Sequence, residues 1–252
     1  MGELWFVGLG LGDERSLSER ALGALAACDR LFAEEYTAVA PAGTVERLAA
    51  RLGRPIERLD RAALESERPI LEALAAQPRV ALLVVGDPFA ATTHVALRLA
   101  AERAGHAWRY EPAASIVSAA AGFLGLQHYR FGRLVSLPFL APGFAPRSPF
   151  EQVAANRERD LHSLVLLDLR PAEGRYLGAA EALGRFRDHG PPFDPTLPVA
   201  VAARVGRDDA AGWFGPLAIV AEADFGPPPH VVVVPASLHF EEAEAVERYR
   251  LR

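Results

Sequence analysis

The sequence predicts an α/β protein of two α/β domains: residues 1–112 with a mainly parallel sheet, and residues 113–252 with a mixed sheet. Three observations predict it. Short apolar runs alternate with segments of helical periodicity through the first half, as βα units require. The run Val80–Val85 is apolar without a break, the pattern of a strand covered on both faces. Strand-like runs then lie close together late in the chain, which favours a mixed sheet.

Taken in order, Leu4–Val7 reads as a strand, followed by a glycine-rich turn and a helix over Ser18–Cys28 with Leu22, Leu25 and Ala26 on its apolar side. Leu31–Ala33 reads as a second strand and Val45–Leu52 as a helix, and Ala62–Ala76 repeats apolar residues at helical intervals. Val80–Val85 ends at Gly86, Thr92 or Thr93 is placed to cap a helix running to Ala104, and Ala107–Tyr110 is a further strand. Ser115–Gly125 is a small-residue helix. Prolines 138, 142, 146 and 149 then make Pro138–Pro149 an irregular crossing. Glu151–Leu161 and Leu177–Phe186 read as helices around a strand at Ser163–Leu169. Val199–Val205, Leu217–Ala221 and Val231–Val234 read as strands, and Leu238–Arg250 as a final charged helix.

Composition narrows the function. The 252 residues carry a net charge of −5 and are 50% hydrophobic, which excludes a disordered chain. A mildly acidic chain argues against a nucleic-acid binder, whose phosphate contacts need a basic surface. The single cysteine, Cys28, cannot build a disulfide or a multi-thiolate metal site, and no metal site is expected. The apolar start of the chain stops at Asp13, far short of the ~20 residues that cross a bilayer, so a soluble, cytoplasmic protein without a membrane partner is expected. All 27 basic residues are arginine, which removes Schiff-base chemistry through lysine and any P-loop. Abundant Arg and Pro suit a heat-adapted source or a GC-rich genome equally. The hydrolase motif G-x-S-x-G and the zinc motif H-E-x-x-H are also missing from the sequence.

Three segments can carry chemistry. Gly8-Leu9-Gly10-Leu11-Gly12-Asp13 follows a strand, and alternating glycines there let a ligand approach the backbone. The dinucleotide pattern G-x-G-x-x-G fails on spacing because Asp13 stands where the third glycine is needed. The acidic residue that would hold a ribose is Glu34 or Glu35, which keeps a nucleotide-dependent oxidoreductase as an alternative. Gly86-Asp87-Pro88-Phe89-Ala90-Ala91-Thr92-Thr93-His94 ends the most apolar strand, and the proline holds Asp87 extended with its carboxylate free for ligand hydroxyls or amines; the bland alternative is a turn whose Asp caps local amides. Ala114-Ser115-Ile116 opens a helix at the domain junction, where the serine is an N-cap or a ligand contact.

In combination these segments resemble the diphthine synthases, a branch of the class III, tetrapyrrole-methylase-like methyltransferases. The resemblance extends through Phe32-Ala33-Glu34-Glu35-Tyr36-Thr37, Pro112-Ala113-Ala114-Ser115-Ile116, Gly125-Leu126-Gln127-His128-Tyr129-Arg130-Phe131-Gly132-Arg133, Leu161-His162-Ser163-Leu164 and Phe225-Gly226-Pro227-Pro228-Pro229-His230. It implies a homodimer whose two α/β domains hold S-adenosyl-L-methionine in the cleft between them. It also implies methyl transfer to the amine of a 3-amino-3-carboxypropyl group on a modified histidine of translation elongation factor 2. By position, the implied cofactor contacts are Leu11, Asp87, Ala90, Ser115, Ile116, Leu167, Val205 and His230. A corrin or other tetrapyrrole methyltransferase, or a cofactor-binding module without catalysis, is an alternative within the same resemblance.

Methyl transfer from a sulfonium needs no metal, and positioning supplies much of the rate. A carboxylate against the sulfur would stabilise the ground state more than the transition state, so Asp87 is expected away from it. The amine must lose a proton to water or to a general base, for which His94 and His128 are candidates; no catalytic residue is assigned. Arg130 and Arg133 are either a solvated pair or a contact for an acidic part of the protein substrate.

Overall fold

The computed structural model describes residues 2–34 and 36–251. The chain divides into two compact units, Met1–Ile116 with Pro171–Glu173, and Val117–Arg170 with Gly174–Arg252.

In the first unit, strands β1 (Glu3–Gly8), β2 (Arg30–Glu34), β3 (Glu57–Leu59), β4 (Arg79–Val84) and β5 (Ala107–Glu111) form one sheet in the order β3-β2-β4-β1-β5. Every pairing in it is parallel. Successive side chains go to opposite faces. Val7, Leu31, Ala33, Ala81 and Leu83 pack against helices α1 (Glu19–Ala27) and α2 (Thr44–Leu52). Leu4, Phe6, Phe32, Val80, Leu82 and Val84 pack on the other side, with residues of α3 (Arg61–Glu65), α4 (Arg68–Ala76) and α5 (His94–Arg103). The Ser18 hydroxyl starts α1 by accepting the Ala21 amide at 3.0 Å.

Strand order positions the site. From β1 the chain passes over β4 to reach β2, whereas from β4 it passes over β1 to reach β5. The connections leave the neighbouring ends of β1 and β4 in opposite directions, and such a switch point opens a crevice at the carboxyl ends of the strands.

The expected helix Ala62–Ala76 is two helices. Pro69 has no amide hydrogen to continue α3, and Glu67 turns the chain with φ +61°. Thr93 stands at the N-cap of α5 without a capping bond of its own, while the Thr92 hydroxyl accepts the His94 amide at 3.4 Å and donates to the Pro88 carbonyl at 2.9 Å.

Helix α6 spans Ile116–Leu124, and all of it after Ile116 belongs to the second unit. Its five-stranded sheet contains β6 (Val135–Leu137), β7 (Ser163–Leu167), β10 (Pro198–Ala203), β11 (Ala211–Pro216) and β12 (His230–Val234), in the order β11-β10-β12-β7-β6. The β6–β7 pair is parallel and the others antiparallel, so the sheet is mixed. A hairpin, β8 (Leu169–Arg170) with β9 (Arg175–Tyr176), stands apart from it. Phe150 and Val153 of α7 (Ser148–Glu158) and Ala182, Leu183 and Phe186 of α8 (Ala179–His189) cover one face, together with Leu217 and Val220 of α9 (Leu217–Val220).

Two expectations are corrected here. Leu217–Ala221 is a helical turn, and the strand lies just before it in Ala211–Pro216, whose two glycines and proline disguise it as a turn. The final helix, α10, covers only Phe240–Val246 and passes into a 3₁₀ turn at Glu247–Tyr249. It starts at His239 because the Glu242 carboxylate reaches back to that amide at 2.8 Å.

Candidate functional site

Three loops meet at the carboxyl ends of β1, β4 and β5. Gly10 and Gly86 exchange backbone hydrogen bonds, at 3.2 Å from the Gly10 amide and 2.8 Å from the Gly86 amide. Gly8 sits where the loops press together: a Cβ there would lie 2.5 Å from the Ala113 Cβ and 2.8 Å from the Gly86 carbonyl oxygen. Gly10 takes φ +83°, a conformation costly for other residues. The glycine-rich turn is thus built for close contact between its own loops.

Asp87 ties the cluster together, and here the expectation of a free carboxylate is corrected. Its Oδ1 accepts the Phe89 amide at 2.9 Å, and its Oδ2 accepts the Ala113 amide at 3.1 Å and the Tyr110 hydroxyl. A carboxylate offers about four acceptor positions, so roughly one remains for a ligand. Burial, reinforced by the bond to Asp87, drives the Tyr110 phenol above its ordinary pKa and keeps its proton on the hydroxyl. Tyr110 is the member of the cluster that no motif in the sequence singled out; its signal is its place at the end of β5. Leu11, Asp87, Ala90, Ser115 and Ile116 are all half-buried around this edge.

The second sheet gathers Leu167, Val205 and His230 at one end. Leu167 closes β7, and Val205 follows β10 by two residues. His230 opens the antiparallel β12 and pairs with Ala203, while Val231 pairs with Leu166. The His230 ring is fully engaged: Nε2 donates to the Pro227 carbonyl at 3.1 Å, which leaves Nδ1 to accept the Ala179 amide at 3.3 Å. Burial lowers its pKa, so it is a neutral, oriented ring. Arg204, which no sequence motif marked, fixes this end of the sheet. With φ +52°, it donates to the carbonyls of Phe225 and Pro227 and pairs with Asp209 at 2.7 Å.

The remaining candidates separate clearly. His94 is 2% exposed, gives its Nδ1 proton to the Pro88 carbonyl at 2.7 Å and has its pKa lowered by burial. Sealed in this way, it cannot meet an incoming amine without movement of its surroundings. His128 is exposed and stacks on Phe131 with centroids 6.1 Å apart. Arg130 is no solvated group: it bonds the fully buried Glu242 at 2.6 Å and Asp160 at 3.0 Å. Arg133 is exposed. Glu34 is fully buried and takes the Thr37 amide at 2.7 Å, so it is not placed to reach a ribose; Glu35 lies outside the described residues. Among the described residues, no group of three or more His, Cys, Asp or Glu side chains could hold a metal ion, and no helix is long and apolar enough to cross a membrane.

A family model for tetrapyrrole (corrin/porphyrin) methylases matches residues 3–221. The chain belongs to this family. Among the methylases it is similar to the diphthine synthase of Methanothermobacter thermautotrophicus, 41% identical over 248 residues that cover 96% of this chain and 93% of the relative. The diphthine synthase of Halobacterium salinarum is 42% identical over an alignment of 253 residues, covering 96% and 95%. A crystal structure of diphthine synthase matches with a TM-score of 0.90 at 32% identity, covering 99% of this chain and 96% of that one. The resemblance carried by the sequence motifs therefore holds for the chain as a whole, as does the α/β fold with one parallel and one mixed sheet.

Proposed function

We propose that this methylase transfers methyl groups from S-adenosylmethionine to the amine of a 3-amino-3-carboxypropyl-modified histidine of translation elongation factor 2, forming diphthine. The observation that carries the reading is the joining of the Gly8–Gly12 and Gly86–Ala91 loops at a switch point, with Asp87 held there as an oriented acceptor. Full-length likeness to diphthine synthases supports the substrate.

The residues present suit the cofactor chemically. Leu11, Ala90 and Ile116 of the first unit and Leu167 and Val205 of the second are apolar and half-buried, matching an adenine ring and a thioether chain. Asp87 and Ser115 are the polar members, and His230, its ring nitrogens already engaged, offers only the ring itself. S-adenosylmethionine, when bound, supplies an electrophilic methyl group on a positively charged sulfur. Asp87 would receive a hydroxyl or amino group with its remaining acceptor position, and its three internal donors fix where that acceptor lies. On such a group rather than on the sulfur, it would add orientation without favouring the ground state over the transition state. The neutral His230 ring and the Arg204 clasp hold the Phe225–His230 segment in shape. With His94 sealed, the proton of the amine is left to water or to the exposed His128. The same reading carries a cytoplasmic homodimer.

The test pairs calorimetry with labelled methyl transfer. S-adenosylmethionine is expected to bind, NAD is not, and label should appear on elongation factor 2 carrying the modified histidine. Asp87→Ala removes the acceptor and orphans two amides, so cofactor affinity should fall by about 5- to 150-fold, about 1–3 kcal/mol. Transfer only to a precorrin would replace the proposed substrate, and binding of NAD alone would discard the reaction.

A further inference from the structure

His94 is a buried, titratable side chain that the proposed reaction leaves without a task. Its Nδ1 proton goes to the Pro88 carbonyl at 2.7 Å, and its Nε2 is buried with no hydrogen-bond partner among the described residues. The bond to Pro88 is therefore the ring's one hydrogen bond within them. At 2% exposure the ring does not reach a ligand itself, so any effect it has on one passes through that carbonyl.

The Pro88 carbonyl is a sensitive place to hold. A second donor, the Thr92 hydroxyl, meets the same oxygen at 2.9 Å. A trans peptide unit is planar, with its carbonyl and its N–H on opposite edges. Fixing the oxygen of the Pro88–Phe89 peptide thus fixes the direction of the Phe89 N–H, and that group donates to Asp87 Oδ1 at 2.9 Å. Oδ2 of the same carboxylate is held by Tyr110 and Ala113, so the two oxygens are gripped from separate segments of the chain. The Phe89 ring anchors the far side of the peptide, packed on Phe6 and Tyr110 with centroids 4.8 and 5.0 Å apart. Backbone preference alone does not give the loop this shape, because Ala91 takes φ +57°, a left-handed conformation that disfavours a residue with a Cβ. We propose that His94 is a positioning residue: through the Pro88–Phe89 peptide it aims the Asp87 carboxylate at the cofactor. This rests on the proposed function, in which Asp87 receives a hydroxyl or amino group of S-adenosylmethionine.

The experiment compares the wild type with His94→Leu, which loses the donor, and His94→Asn, whose side-chain N–H can stand in for Nδ1. Hydrogen exchange at the Phe89 amide reads the peptide, calorimetry reads S-adenosylmethionine affinity, and labelled methyl transfer reads turnover. In His94→Leu the Phe89 amide should exchange faster and affinity should fall about fivefold, the effect of one hydrogen bond. Turnover at saturating cofactor and protein substrate should stay within about twofold, because the loss lies in binding. Unchanged affinity overturns the proposal, and a fall in turnover with affinity kept would make His94 a proton acceptor instead. His94→Asn should restore both exchange and affinity; a loss equal to that in His94→Leu would assign the effect to packing of the ring. In the Asp87→Ala background His94→Leu should cost no further affinity, and an additive loss overturns the route through Asp87. Thr92→Val, which removes the other donor to the same oxygen, carries the same expectations if His94→Leu does not fold. If the wild-type enzyme does not bind S-adenosylmethionine, the proposed function fails and exchange at Phe89 decides alone. Faster exchange in His94→Leu that His94→Asn reverses then supports the positioning, and unchanged exchange overturns it.

Discussion

Gly8 and Gly23 are both glycines in regular structure, yet they have opposite prospects. At Gly8 an added methyl would meet the Ala113 Cβ at 2.5 Å and backbone at 2.8 Å, whereas at Gly23, in α1, nothing lies within 4 Å. Gly8→Ala should therefore cost about 1–3 kcal/mol and prise apart the strand-end loops. Gly23→Ala should add about 0.5–1 kcal/mol by removing backbone freedom from a helix interior. Urea midpoints of the two variants check the pair, and equal shifts would refute the close approach assigned to Gly8. Asp87 teaches a related lesson. Its position between a strand and a proline was legible in the sequence. Its donors were not all legible: Phe89 is two residues away, while Tyr110 arrives from β5 and Ala113 from the loop that follows it.

Helix α10 depends on a carboxylate that periodicity alone would assign to a solvated face. Glu242 is fully buried and gathers the amides of Gln127 and His239, the Arg130 guanidinium and the Nε2 proton of His162. Burial would raise its pKa, but the amide donors and His162 outweigh it and hold the carboxyl below its ordinary value. Removing Arg130 leaves that charge short of its cation, so Arg130→Ala should cost about 3–5 kcal/mol. Hydrogen exchange over Phe240–Val246 should accelerate accordingly, with little change at β1 of the other unit. The misread segment Leu217–Ala221 has the opposite cause. Its apolar run suits a strand locally, but β10 is already paired with β11 and β12, so no sheet position is open to it beside that strand.

Three buried histidines give the whole molecule a pH dependence of definite sign. Burial lowers the pKa of His94, His162 and His230 below the ordinary value near 6.5. Between each lowered value and about 6.5 the unfolded chain binds more protons than the folded one, so stability rises with pH through that window and falls as the medium is acidified. Each ring contributes up to about 1.4 kcal/mol per pH unit where it titrates only in the unfolded state. Urea midpoints measured from about pH 7 to pH 5 should decline, and His162→Gln should flatten the decline; a level profile would show that the rings are not buried neutral.

Periodicity, glycine spacing and proline placement act within about ten residues, and they sufficed to read the parallel sheet, the mixed sheet, the strand-end loops and the methylase resemblance from the chain alone. Partner choice among polar groups was decided only on folding. The Gln127 amide and Glu242 are 115 positions apart, and Tyr110 and Asp87 are 23 apart. A buried polar atom must be satisfied by whichever donor the packing brings to it, and no local pattern records which one that will be.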